Sequence, residues 1–221
     1  MKRIVISDVH IGSKYYKSDV LIQFLREVEY DELILAGDII DFQKVPEFSL
    51  RAEEIYNSLD FSKRIIYIPG NHDASLKGFN GQKVFGFEFM ESYEFEEAGR
   101  NFRIEHGDRY DGKLYNSELF MKIVSIFHEA LEHYLDTNIT KWWTDLQIKR
   151  RKLRRIWDIL QWNEDVDVFI MGHLHNPEFV IWGNGGKMLT YVNSGDWVSH
   201  STYVSIVDGV VRLKTYGAEN S

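Results

Sequence analysis

Lys2-Arg3-Ile4-Val5-Ile6-Ser7-Asp8-Val9-His10 opens the chain with a short apolar run that ends on two side chains able to bind a metal. The β-branched stretch Arg3–Ser7 predicts a strand. In open α/β sheets, ligands bind beyond the carboxyl ends of strands, so Asp8 and His10 stand where such a fold places its chemistry. The pattern recurs. Leu33–Gly37 leads into Gly37-Asp38-Ile39-Ile40-Asp41, and Arg64–Pro69 into Gly70-Asn71-His72-Asp73. Phe102–Glu105 leads into His106-Gly107-Asp108, and Asp167–Gly172 into Gly172-His173-Leu174-His175.

Between the first two strands, Val20, Leu21, Phe24, Leu25 and Val28 line one face of a helix, and a second helix is expected over Leu50 to Leu59. Strand alternating with helix predicts an α/β core with a parallel sheet. Antiparallel strands should follow. Phe87–Glu96 and Phe102–Glu105 flank Ala98-Gly99-Arg100-Asn101, and Phe179–Trp182 and Met188–Val192 flank Gly183-Asn184-Gly185-Gly186. Tyr203–Val207 and Val210–Tyr216 flank Asp208-Gly209, a strong hairpin signal. Leu189–Asn193 is a further predicted strand.

Residues 113–162 interrupt this order with helical periodicity. Phe120, Ile123, Val124, Phe127, Leu131 and Leu135 form one stripe; Trp142, Leu146, Leu153, Trp157 and Leu160 form another. Two antiparallel helices capping the core are expected, their aromatic residues serving as ordinary core. Within them Lys149, Arg150, Arg151, Lys152, Arg154 and Arg155 make a basic cluster. A solvated helix face and a contact for an anionic partner are equally good readings of it.

The 221 residues fit one domain, 44% hydrophobic and 27% charged, as globular proteins are. No apolar stretch approaches the roughly 18 residues of a membrane span, and the N-terminal run is too short for a signal peptide. A cytoplasmic protein is expected, with peripheral membrane contact through the basic insert as a further option. Cysteine is absent, so any metal must be held by nitrogen and oxygen. A net charge of −8 argues against nucleic acid as a partner.

Singly, each motif is weak: an Asp-x-His pair is usually solvated loop, Asn-His-Asp a turn, and His106 alone a satisfied core histidine. Together, five clusters behind five strands supply the His, Asp and Asn mixture that borderline divalent cations prefer. His128 and His133 fall in helical sequence without matching carboxylates and read as structural; His200 has no evident partner.

Asp8-x-His10, Gly37-Asp38-x-x-Asp41, Gly70-Asn71-His72-Asp73, His106 and Gly172-His173-x-His175 resemble, in order, the signature of the calcineurin-like metallophosphoesterases. The resemblance implies two mixed β-sheets packed face to face with helices outside, an α-β-β-α sandwich, here with the helical insert. It implies that Asp8, His10 and His175 hold one metal, that Asn71, His106 and His173 hold a second, and that Asp38 bridges both. His72 would face substrate, oriented by Asp41. The implied cofactor is a pair of divalent ions, Mn²⁺ by resemblance, with Fe, Zn²⁺ and Co²⁺ also admitted by the donor set. The implied reaction is in-line attack of a metal-bridging hydroxide on a phosphodiester or pyrophosphate.

Within the superfamily, the chain's size, its insert between His106 and His173, and Tyr191-Val192-Asn193-Ser194-Gly195-Asp196-Trp197 look most like the UDP-2,3-diacylglucosamine pyrophosphatase group. That group resembles Gly-Asn-Arg-Asp where this chain has Gly70-Asn71-His72-Asp73. The expected partner is a small phosphorylated or nucleotide-linked substrate, UDP-diacylglucosamine-like in one version, with Arg150, Arg151, Arg154 and Arg155 as candidate contacts. A general or cyclic-nucleotide phosphodiesterase is the alternative within the class. A non-catalytic interaction module on the same fold is the alternative outside it.

Overall fold

In the computed structural model, residues 1–12, 17–42, 50–110, 159, 165–184 and 187–217 are described. Short apolar runs with no room for helical periodicity pair side by side. Strands β1 (Lys2–Ile6), β2 (Glu32–Ala36) and β3 (Arg64–Ile68) run parallel, with Ile4 opposite Leu33 and Leu33 opposite Ile65. Helix α1 (Ser18–Glu27) links β1 to β2 and buries Leu21, Ile22, Phe24 and Leu25; helix α2 (Leu50–Asn57) precedes β3.

Among the described residues the strands form two mixed sheets. One has seven strands, in the order β12 (Val210–Thr215), β11 (Thr202–Val207), β1, β2, β3, β5 (Phe87–Phe89) and β4 (Lys83–Val84). The other has five: β6 (Tyr93–Glu97), β7 (Arg100–Ile104), β8 (Val168–Met171), β10 (Lys187–Asn193) and β9 (Glu178–Asn184).

Alternation along the strands separates two apolar layers. Val5, Ile34 and Ile66 meet Phe102, Ile104, Ile170 and Val192 between the sheets. Ile4, Leu33, Leu35 and Ile65 point the other way, toward Leu21, Phe24 and Ile55 of the helices. Burying each such side chain stabilises the fold by about 1.5–3 kcal/mol. Both faces of the central parallel strands are therefore covered, which is why they read as continuous apolar runs.

One predicted segment divides. Phe87–Glu96 is two strands in different sheets. Phe87–Phe89 lies parallel to β3, with Ile65 opposite Phe87, whereas Tyr93–Glu97 pairs with β7. Phe89 joins the helix-side layer, and Tyr93 and Phe95 join the layer between the sheets, so the chain must cross between them. The hairpin turn is only Ala98-Gly99, with φ of 53° and 69°, so Arg100 and Asn101 belong to the strand. Asp208-Gly209, with φ of 49° and 77°, is the two-residue turn expected there.

The chain falls into two compact units, Met1–Gly107 with Asp165–Ser221, and Asp108–Glu164. Of the second, a 3₁₀ turn at Asp108–Tyr110 and Ile159 are described. Apart from Ile159, the expected helical cap at 113–162, with its basic cluster, His128 and His133, lies outside the described residues. No helix among the described residues is long and apolar enough to cross a membrane.

Candidate metal centre

The parallel strands hold their loops in step beyond the sheet. Asp8 N–H donates to Gly37 O at 3.0 Å, His10 N–H to Asp38 O at 3.0 Å and Ile11 N–H to Ile39 O at 2.8 Å. These bonds pin Asp8 and His10 beside Asp38. Asp73, fully buried, accepts from Gly70 N–H (2.5 Å), Ile39 N–H (3.0 Å) and the Tyr67 hydroxyl (2.6 Å), tying the third loop to the second.

The backbone here is unusual. Asp8, His10, Asp38, His173 and His175 all have positive φ, between 52° and 67°. Left-handed backbone at a non-glycine residue costs on the order of 1–3 kcal/mol and gathers at functional sites, where surrounding bonds enforce it. Close approach adds a second constraint. A Cβ at Gly70 would overlap Asp38 Oδ1, and one at Gly172 would overlap Asp8 Oδ2 and Ser7 Oγ.

The structure brings all seven candidate ligands together. Donor atoms of Asp8, His10 and His175 lie within 4.8 Å of one another, as do those of Asp38, His106 and His173. His10 Nε2 is 3.3 Å from His175 Nε2, which is 3.4 Å from Asp8 Oδ1. Asn71 Oδ1 is 3.1 Å from His106 Nε2, and Asp38 Oδ2 is 3.3 Å from that same nitrogen. Two ligand atoms each about 2.1 Å from a cation at a tetrahedral angle lie about 3.4 Å apart, so this donor set fits divalent cations. Asp8 Oδ1 adds to the fit: it is buried and accepts no hydrogen bond among the described residues.

Other bonds aim these groups. Asp8 Oδ2 accepts from the Ser7 hydroxyl at 2.5 Å and from His173 N–H at 2.9 Å, leaving Oδ1 for the cluster. His106 Nδ1 lies 3.0 Å from Ala36 O and donates to it, so Nε2 is the ring atom left to coordinate. Asp38 Oδ1 accepts His72 N–H at 2.7 Å.

His72 Nδ1 is 3.2 Å from Asp41 Oδ1, and Asp41 is fully buried. A donor atom of His72 also lies within 4.8 Å of those of His10 and Asp38, so distance alone does not separate it from the ligands. The Asp41 carboxylate holds its Nδ1, and the His72 side chain is 25% exposed.

Electrostatics follow from this packing. Burial raises the Asp8 pKa. Burial pushes His10 down to about 4 despite nearby Asp38. For Asp38, burial opposes charge, but the hydrogen bond and charge of His106 and the His72 N–H outweigh it and hold the carboxyl well below its usual range. Burial likewise opposes charge on His106, yet its bond to Asp38 and the field of Asp8 and Asp38 raise it to about 9.

Sequence reasoning missed Asp196. Its Oδ2 stands 3.4 Å from His175 Nδ1 and 3.3 Å from His200 Nδ1, which gives the unassigned His200 a partner. The Asp196 contact raises the His175 pKa against burial. Burial opposes charge on Asp196 too, but His175 and the N–H groups of His200 and Ser199 hold its pKa far below the ordinary value. The available signal was Ser194-Gly195-Asp196 directly behind a predicted strand, the same pattern as the other loops. Arg150, Arg151, Arg154 and Arg155 lie outside the described residues.

A family model described as calcineurin-like phosphoesterase matches residues 1–177. Comparison with curated proteins returns no match. Among solved structures, the chain is similar to an archaeal phosphodiesterase at 16% identity and a TM-score of 0.48, covering 97% of this chain and 99% of that one. It is also similar to a predicted phosphoesterase from Streptococcus pneumoniae, at 17% identity and a TM-score of 0.43, covering 97% and 88%. A third is Vps29 from Entamoeba histolytica in complex with Zn²⁺, at 16% identity and a TM-score of 0.44, covering 97% of each.

Proposed function

We propose a function from one premise: the chain belongs to the calcineurin-like phosphoesterase family. The proposed activity is hydrolysis of a phosphodiester or pyrophosphate that depends on two divalent cations, Mn²⁺ first among the candidates. The observation that carries it is Asp38, whose donor atoms fall within reach of both His10 on one side and His106 and His173 on the other. A carboxylate so placed can serve two ion positions at once, with Asp8, His10 and His175 completing one and Asn71, His106 and His173 the other.

Two such ions, when bound, acidify a water and offset phosphoryl charge. The chain does the rest. Buried Asp41 keeps the proton of His72 on Nδ1, which directs Nε2 toward a substrate oxygen. To stabilise charge on the phosphoryl group, or to give a proton to the departing oxygen as its bond to phosphorus breaks, the ring must carry a second proton on Nε2, and the Asp41 carboxylate favours that imidazolium form. Water supplies the new P–O bond, and no side chain is covalently modified.

For the substrate, a nucleotide-linked pyrophosphate such as UDP-diacylglucosamine is one candidate, on the likeness of Tyr191–Trp197 to the ending of the UDP-2,3-diacylglucosamine pyrophosphatase group, from whose Gly-Asn-Arg-Asp this chain departs at His72; a general or cyclic-nucleotide phosphodiester is the other. Arg150, Arg151, Arg154 and Arg155 are its proposed anion contacts. The test is a hydrolysis screen of the full chain with Mn²⁺ over UDP-diacylglucosamine, UDP-sugars, cyclic nucleotides and bis-p-nitrophenyl phosphate. Turnover that vanishes on chelation and returns with Mn²⁺ is expected. Metal-replete protein inert toward all of them would leave only a scaffold.

A further inference from the structure

We propose that Asp196 is a positioning residue for the first cation site, holding His175 Nδ1 so that Nε2 faces Asp8 and His10. This rests on the metal-centre reading above and extends it to a loop that the reading did not include.

The His175 side chain is 42% exposed, so packing alone does not fix its ring. Its two nitrogens have different neighbours. Nε2 is 3.3 Å from His10 Nε2 and 3.4 Å from Asp8 Oδ1, while Nδ1 is 3.4 Å from Asp196 Oδ2. A carboxylate on Nδ1 keeps the proton there and leaves the Nε2 lone pair for a cation.

Asp196 is itself immobilised. Its side chain is 3% exposed, and Oδ1 accepts three backbone N–H groups, from Val198 (3.2 Å), Ser199 (2.7 Å) and His200 (2.9 Å). The same loop also holds Asp8, a second ligand of that site. Trp197 N–H donates to Asp8 O at 3.1 Å, and Ser194 Oγ is 2.7 Å from Ser7 Oγ, the hydroxyl that donates to Asp8 Oδ2. Asn193 Nδ2 donates to Gly172 O at 2.6 Å, just ahead of the loop carrying His173 and His175. All of these loop residues lie beyond the 1–177 span that the family model matches.

Asp196→Asn tests the idea sharply. Its Oδ1 can still accept the three N–H groups, but an amide N–H turned to His175 Nδ1 would shift the ring proton to Nε2 and block coordination. Cobalt titration of the full chain, followed by visible absorption, should show two uptake steps in the wild type. One step should weaken about 10–100-fold in Asp196→Asn, as loss of an outer carboxylate partner usually does. His200→Ala, which leaves the carboxylate in place, should titrate like the wild type. Independently of any variant, ring ¹⁵N spectra of the Zn²⁺-loaded wild type should show His175 metallated at Nε2 and protonated at Nδ1.

Two unchanged steps in folded Asp196→Asn, or His175 bound through Nδ1, would overturn this inference and leave the proposed activity intact. Wild-type protein that takes up no cation would overturn both. If Asp196→Asn does not fold, the ring spectrum of the wild type decides.

Discussion

The two halves of the candidate centre use the same kinds of donor but are supported differently. His106 is embedded in the core, its side chain 1% exposed, with Nδ1 on Ala36 O and Nε2 between Asn71 and Asp38. His175, its counterpart, is 42% exposed and leans on Asp196 in a loop at the far end of the chain. One histidine is held by packing, the other by polar contacts with a buried carboxylate. The halves meet at Asp38, and again where His173 N–H, from the second set, donates to Asp8 Oδ2 in the first. Burial of His106 and hydrogen-bonded bracing of His175 should fail under different perturbations.

The largest effect should come from the residue common to both halves. Asp38→Asn removes charge from both ion positions; losing several kcal/mol of transition-state stabilisation lowers turnover of bis-p-nitrophenyl phosphate by about a thousandfold or more. Elemental analysis of that variant should show both cations weakened, and full activity would contradict a shared Asp38. His72→Ala should retain both cations and lose about 10²–10⁴-fold in turnover, the usual worth of an acid or base group. Loss of a cation in that variant would move His72 into the ligand set, a place its distances alone permit.

Gly172→Ala should act on one half first. The new methyl group meets Asp8 Oδ2 and Ser7 Oγ, so Asp8 must shift, weakening the first cation step in a cobalt titration more than the second. Equal weakening of both would mean that the halves do not respond separately.

The smallest effect is one of pH. In chelated protein the His106 pKa is raised to about 9 from an ordinary 6.5. Its stabilising contribution is therefore complete below about 6.5 and disappears as pH rises through about 9. Thermal melts of chelated protein should fall across that window, by about 2–4 °C per kcal/mol lost in a chain of this size. The same raised pKa makes cation uptake release a proton at neutral pH, measurable by calorimetry in two buffers. Melts that rise across the window would contradict the charged His106.

Much of this was legible because the chemistry follows strands. Arg3–Ser7, Leu33–Gly37 and Arg64–Pro69 were apparent from their β-branched runs, and the loops behind them carry Asp8, Asp38 and Asn71. Sequence periodicity could not reveal where Phe87–Glu96 changes sheets, because both halves of that segment are equally apolar and only tertiary pairing divides them. Asp196 was hidden for another reason. A carboxylate that acts by holding another side chain needs no histidine beside it in sequence, and its role shows only once His175, twenty-one residues earlier, is placed against it.

The proposed activity requires two cations shared by seven side chains. Anomalous scattering from crystals of Mn²⁺-loaded protein tests this most directly. It should show two peaks roughly 3.5–4 Å apart, one beside Asp8, His10 and His175, the other beside Asn71, His106 and His173, with Asp38 between. A single peak, or none within this cluster, would contradict it.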